Sequence, residues 1–141
     1  MTEHVKVEIA AGVMTLTLQR PEKKNALTGG MYDAMSNALK QAEADPSVRV
    51  ILFQGDGDSF TAGNDLADFA SQARGESAVD SPAHRFIDTI SKAGKPIVAA
   101  VQGNAVGVGT TMLLHCDLVY LAETARLITP FVNLALVPEA A

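Results

Sequence analysis

Apolar and polar residues alternate from the start of the chain. Val5, Val7 and Ile9 interleave with polar partners, Ala11-Gly12 interrupts, and Met14, Leu16 and Leu18 then alternate with Val13, Thr15 and Thr17. A period of two on both sides of a turn dipeptide predicts a β-hairpin. After a polar stretch containing Pro21 the period changes. Met31, Met35, Leu39 and Ala42 recur at helical spacing, with Thr28 placed to cap the helix and Asp45-Pro46 to end it.

Residues 48–53 are rich in β-branched side chains and precede Gly55-Asp56-Gly57-Asp58, which predicts a strand closed by a turn. Residues 66–74 suit a helix, 75–81 are small and polar and read as a mobile surface segment, and Phe86, Ile87 and Ile90 mark one face of a helix starting near Pro82. Lys95-Pro96 introduces 97–101, a continuous apolar run of the kind buried on both faces of a sheet. Residues 107–114 predict a short helix and 118–121 another buried strand. Strands alternating with helices after a hairpin predict one α/β layered domain over 1–141 with right-handed crossovers.

Composition narrows the function classes. With 48% hydrophobic and 19% charged residues, the 141-residue chain can bury a core and is not a disordered segment. A net charge of −5, with Lys23-Lys24 the one adjacent basic pair, argues against a nucleic-acid partner, which would be held by clustered Lys and Arg. No apolar stretch approaches the roughly 20 residues that cross a bilayer, and the first residues resemble neither a signal nor a transit peptide. The expectation is a soluble cytoplasmic protein without membrane contact, a peroxisomal address at a true C-terminus staying open. Cys116, the single cysteine, lies among Leu113, Leu114 and Leu118 and reads as a buried structural thiol. His4, His84 and His115 are too far apart to suggest a metal site.

The chemistry concentrates in two turns. Phe60-Thr61-Ala62-Gly63-Asn64-Asp65-Leu66 and Gly103-Asn104-Ala105-Val106-Gly107-Val108-Gly109 each follow a predicted strand and open into a predicted helix. Paired turns of this kind can aim two main-chain N–H groups at one oxygen, which stabilises charge developing on a carbonyl. Gly107-Val108-Gly109 does not make a dinucleotide fingerprint, because the third glycine position holds Met112. Asp65 is placed to cap the helix after its turn, and Asp117 to make a structural hydrogen bond.

Together with Arg20-Pro21-Glu22-Lys23-Lys24-Asn25-Ala26-Leu27, Lys95-Pro96-Ile97-Val98-Ala99-Ala100-Val101-Gln102-Gly103 and Cys116-Asp117-Leu118-Val119, these turns resemble the enoyl-CoA hydratase/isomerase (crotonase) family. The match runs in the family's order over nearly the whole chain. The resemblance implies an α/β spiral of ββα units, here lacking the family's C-terminal helical part, and acyl-CoA thioester substrates, with coenzyme A entering as part of the substrate and no other cofactor. It implies homotrimers, or dimers of trimers, for a full-length chain.

The resemblance also assigns roles. Asn64 and Val108 would supply the oxyanion-hole amides, while Lys24, Ala26, Ala62, Gly63, Asp65, Leu66 and Phe131 would line the substrate and CoA site. By residue type alone, Lys23 and Lys24 fit a plain surface loop better than a contact to the CoA phosphates. Family members that hydrate a double bond carry two acids where this chain has Thr111 and Phe131. Hydration needs groups to activate water and to protonate carbon, so their replacement points away from hydratase chemistry.

Glu139 falls where the 3-enoyl/2-enoyl-CoA isomerase branch places its single catalytic acid, and one base suffices to move a proton from C2 to C4. Phe131, Leu134, Leu136 and Val137 offer it an apolar setting, and Phe69, Met112 and Phe131 suit an acyl chain. The expected function is therefore enoyl-CoA isomerisation in fatty acid metabolism. Alternatives are an enoyl-CoA hydratase or acyl-CoA hydrolase using Glu139 with water and, in another class, a non-catalytic CoA-binding or assembly module.

Overall fold

A computed structural model describes residues 4–72 and 80–138. The predicted hairpin is β1 (Val5–Ala10) and β2 (Val13–Leu18), paired antiparallel from Val5 opposite Leu18 to Ala10 opposite Val13. Helix α1 (Gly29–Ala44) starts where Thr28 accepts a hydrogen bond from the Met31 amide at 3.3 Å, as its position implied. At its other end the Lys95 ammonium donates to the carbonyls of Asp45 and Val48 at 2.6 and 2.7 Å, and also to that of Ala42, so a cation covers the negative helix terminus.

The chain continues through β3 (Val50–Gly55), α2 (Leu66–Gln72), α3 (Pro82–Ser91), β4 (Ile97–Val101), β5 (Asn104–Val106), α4 (Val108–Thr111), β6 (Leu118–Leu121) and β7 (Arg126–Ile128). The main sheet has the order β1-β2-β3-β4-β6, parallel from β2 onward, and β5 and β7 form a separate parallel pair. Helices α1 and α3 pack on each other, and Met31, Met35, Leu39, Phe86 and Ile90 bury themselves with Met14, Leu16, Ile51, Phe53, Ile97 and Ala99 of the sheet. The Phe86 ring sits 5.6 Å from that of Tyr32 and 6.4 Å from that of Phe53, joining both helices to β3.

Three expectations need correction. The 107–114 helix is shorter: α4 ends at Thr111 and tightens into a 3₁₀ turn, Met112–His115. Strand β4 is buried at Ile97, Ala99 and Val101 but only half-covered at Val98 and Ala100, so one face of the sheet carries the core. Strand β6 is exposed along its whole length, with Leu118 at 56% and Tyr120 at 65%. It is the outer strand, and apolar composition alone cannot distinguish an edge position from a central one. The 66–74 helix is described only to Gln72, and the segment read as mobile falls mostly on 73–79, outside the described residues.

Candidate active site

The two turns meet beyond the C-terminal ends of β3 and β4. Thr61 pairs with Ala105 and Leu27 with Asn64 as isolated parallel bridges, so the loop 20–27, the first turn and β5 lie side by side. Asn25 ties the first two together. Its buried Nδ2 donates to the carbonyls of Asp56, Ser59 and Phe60 at 2.8, 2.9 and 3.2 Å, its Oδ1 accepts from the Arg20 amide at 2.8 Å, and its carbonyl accepts from the Thr61 hydroxyl at 2.7 Å. Arg20 adds a largely buried ion pair to Asp65 at 2.7 Å and a bond to the Ala26 carbonyl at 3.0 Å. The Arg20 guanidinium and the amides of Asp68 and Ala67 hold the Asp65 carboxyl below the usual carboxylate range. Asp65 also caps α2, accepting from the Ala67 and Asp68 amides at 3.1 Å, as its placement suggested.

An inventory of the main-chain donors of residues 61–65 isolates one amide. Thr61 donates to the Asn104 carbonyl, Ala62 to the Lys24 carbonyl, Gly63 to the Thr61 hydroxyl and Asp65 to the Leu27 carbonyl. Asn64 alone among these five donates to no acceptor among the described residues. The bridge explains it: Leu27 bonds to Gly63 and Asp65, the residues flanking Asn64, so the Asn64 N–H points away from that strand. Gly63 makes the arrangement possible, with φ +84° and a position where an added Cβ would lie 2.8 Å from the Val106 carbonyl oxygen.

In the second turn Gly107 adopts φ 59°, ψ −117°, a corner unsuited to other residues, and its amide donates to the Ile128 carbonyl at 2.8 Å. Val108 is then the first residue of α4, and its amide also finds no acceptor among the described residues. Valine is accommodated because the positive φ falls on Gly107 and not on residue 108. The Thr110 hydroxyl clamps the turn, donating to the Ala105 carbonyl at 2.6 Å and accepting from the Ile128 amide at 3.2 Å.

Asn64 and Val108 line one small cavity of about 40 Å³, walled by Tyr32, Phe69, Ala83, Ile87, Thr111, Phe131, Leu136 and Val137. Of the expected acyl-site residues, Phe69 and Phe131 are there, whereas Met112 is 1% exposed and belongs to the core. Leu136 and Val137 join Phe131 at the wall, but Leu134 does not and is 55% exposed. Its 3₁₀ turn, Val132–Leu134, rotates it away from its neighbours. Glu139 lies outside the described residues.

The remaining expected binding residues sit around the first turn. Ala26 and Ala62 contribute backbone to its bonds, Leu66 is 76% exposed, and the Lys24 ammonium pairs with Asp58 at 2.7 Å on the surface. Asp117 accepts from the Ile97 amide at 2.8 Å, the structural role expected of it. Cys116, expected to be buried, is half-buried because Leu114 and Leu118 beside it are exposed; its partial burial and the neighbouring Asp117 push the thiol up to about 11. Tyr32, Ala83 and Ile87 also line the cavity, although the sequence assigned none of them to the site. Tyr32 carried a usable signal, a polar-tipped ring on the apolar stripe of a helix, which needs a hydrogen-bond partner when buried.

Two turns with unspent amides on one apolar cavity, carried by a largely parallel sheet with helices packed on it, define an α/β protein of the crotonase fold. The chain belongs to the enoyl-CoA hydratase/isomerase family, whose model matches residues 8–141. It is 40% identical to enoyl-CoA delta isomerase 2 of Rattus norvegicus over 96% of this chain and 36% of that one. It is 35% identical to 1,2-epoxyphenylacetyl-CoA isomerase of Escherichia coli (strain K12), over 99% of this chain and 55% of that one. The solved structure of Pseudomonas aeruginosa OdaA superposes with a TM-score of 0.91 at 52% identity, covering 97% of this chain and 55% of that one. The chain thus spans from about a third to just over half of these relatives' lengths. Isomerase and hydratase names both occur among its relatives.

Proposed function

We propose that the protein carrying this chain shifts the double bond of a 3-enoyl-CoA to the 2-position. The observation that supports this most is the pair of unspent amides, Asn64 and Val108, on a cavity whose described lining contains no carboxylate. In this reading the thioester oxygen accepts from both amides. The Glu139 carboxylate removes a proton from C2, and the C–H electron pair delocalises into the carbonyl to give a dienolate. The protonated Glu139 then delivers that proton to C4, the C3–C4 π electrons forming the new C–H bond while the double bond settles between C2 and C3. No water enters, which suits Thr111 and Phe131 at the positions where the family resemblance would put the acids of a hydratase.

A carboxylate works as a base near neutral pH when an apolar setting raises its pKa. Phe131, Leu136 and Val137 provide apolar walls to the cavity, and Glu139 follows Val137 by two positions in sequence. Glu139→Gln in the intact protein is expected to lower kcat for 3-hexenoyl-CoA by roughly 10²- to 10⁴-fold. Undiminished turnover by that variant removes Glu139 from the reaction. The hydratase-named relatives support a second reading, water addition to a 2-enoyl-CoA, which loss of the conjugated enone absorbance of crotonyl-CoA detects.

A further inference from the structure

The Tyr32 hydroxyl donates a hydrogen bond to the Asn64 side-chain Oδ1. Tyr32 is only 3% exposed, stands at the end of the first turn of α1, and has its ring braced by Phe86. The residue it reaches is the one of 61–65 whose main-chain amide has no acceptor among the described residues. Asn64 is therefore held twice: through its neighbours, which bond to Leu27, and through its side chain, which bonds to the core helix. The two restraints differ in what they fix. The Leu27 bond to the Gly63 carbonyl sets the Gly63–Asn64 peptide plane and with it the direction of the Asn64 N–H, whereas the side-chain bond pins residue 64 to the core helix and resists tilting of that plane.

We propose that Tyr32 is a positioning residue for the Asn64 half of the anion-binding cradle, holding that amide on the thioester oxygen by restraining residue 64 through its side chain. The inference rests on the oxyanion reading above. It assigns to α1, otherwise a structural helix, a part in polarising the substrate carbonyl. An amide swung from its line weakens the developing O⁻ bond more than ground-state binding, so the loss falls on kcat.

Tyr32→Phe keeps the ring and removes the hydroxyl alone. In the intact protein it is expected to lower kcat for 3-hexenoyl-CoA about tenfold with KM within about twofold. Bound hexanoyl-CoA labelled with ¹³C at the carbonyl gives a second readout that needs no turnover. The wild-type infrared band should be red-shifted by the amides, and Tyr32→Phe should lose a substantial part of that shift. Asn64→Ala, which keeps the main-chain amide, should reproduce both effects, and the double variant should be no worse than either single one. A Tyr32→Phe protein with wild-type kcat and carbonyl band overturns the proposal, as do losses that multiply in the double variant. A wild-type band without any red shift overturns the oxyanion reading itself, and with it the role of Tyr32.

Discussion

The two halves of the cradle are built by different means. The Asn64 turn is sewn into the N-terminal core by long-range polar contacts: Asn25 across to 56–61, Arg20 to Asp65, Asp68 to the Gly29 amide, Tyr32 to Asn64. The Val108 turn rests on a two-stranded sheet and a four-residue helix, with the Thr110 hydroxyl as its main side-chain clamp. Leu127 and Ile128, on the strand that carries it, are 49% and 38% exposed, while the side chains of Arg20 and Asp65 are 15% and 17% exposed. One donor is thus fixed by buried charge and amide networks, the other by a thin local layer. Where a cradle needs both amides at one oxygen, the second half is the one whose order depends on what covers it.

The largest effect is expected where the halves touch. Gly63→Ala places a Cβ 2.8 Å from the Val106 carbonyl oxygen at a backbone φ of +84°, so the turns must separate. A loss of about 3 kcal/mol in urea unfolding and near-complete loss of activity should follow. Stability and turnover close to wild type would show that the turns tolerate separation.

Next comes the anchor of the first half. Arg20→Ala leaves Asp65 without its cation and should cost about 2 kcal/mol at pH 7, below the range for fully buried pairs because both partners retain some water contact. Hydrogen exchange should rise at 61–66 and stay unchanged at 126–128. Equal acceleration in both segments would mean that the two halves open as one unit. The pH dependence has a definite sign. The Asp65 carboxyl is depressed in the folded state, so its contribution is complete above the ordinary carboxylate value and is lost as pH falls through the depressed one. The gap between wild type and Arg20→Ala should therefore narrow in acid.

The smallest effect is expected in the second half. Thr110→Val removes the bonds to the Ala105 carbonyl and from the Ile128 amide and should cost about 1 kcal/mol. Exchange should quicken at 126–128 with 61–66 unaffected. The reverse pattern would contradict the assignment of Thr110 to the Val108 half.

Much of this architecture is legible in the chain. The alternation around Ala11-Gly12, the Thr28 cap and the Met31-Met35-Leu39 stripe correspond to elements that form where local pattern says they should. Arg20, Asn25, Thr61 and Asp65 lie within the motifs quoted from the sequence, where only Asp65 has a structural role, as a cap; in the fold all four are joints between loops. Strand β7 left no comparable trace, because three residues paired only with β5 are too short for a periodicity. Leu118, Val119, Tyr120 and Leu121 read as core and lie exposed. Hydrophobicity reports what a side chain prefers, while coverage depends on which element stands opposite.

Sequence by itself determined the longer elements, their α/β order and the two turns in which main-chain donors could gather, since propensity, capping and turn chemistry act within a few residues. Only the tertiary structure decided which amides remain unspent, that Asn64 and Val108 share a cavity, and that Tyr32 reaches Asn64 across 32 positions of chain. The reason is physical: a free donor is what remains after every other donor has found its acceptor, and that accounting closes only when distant segments have packed.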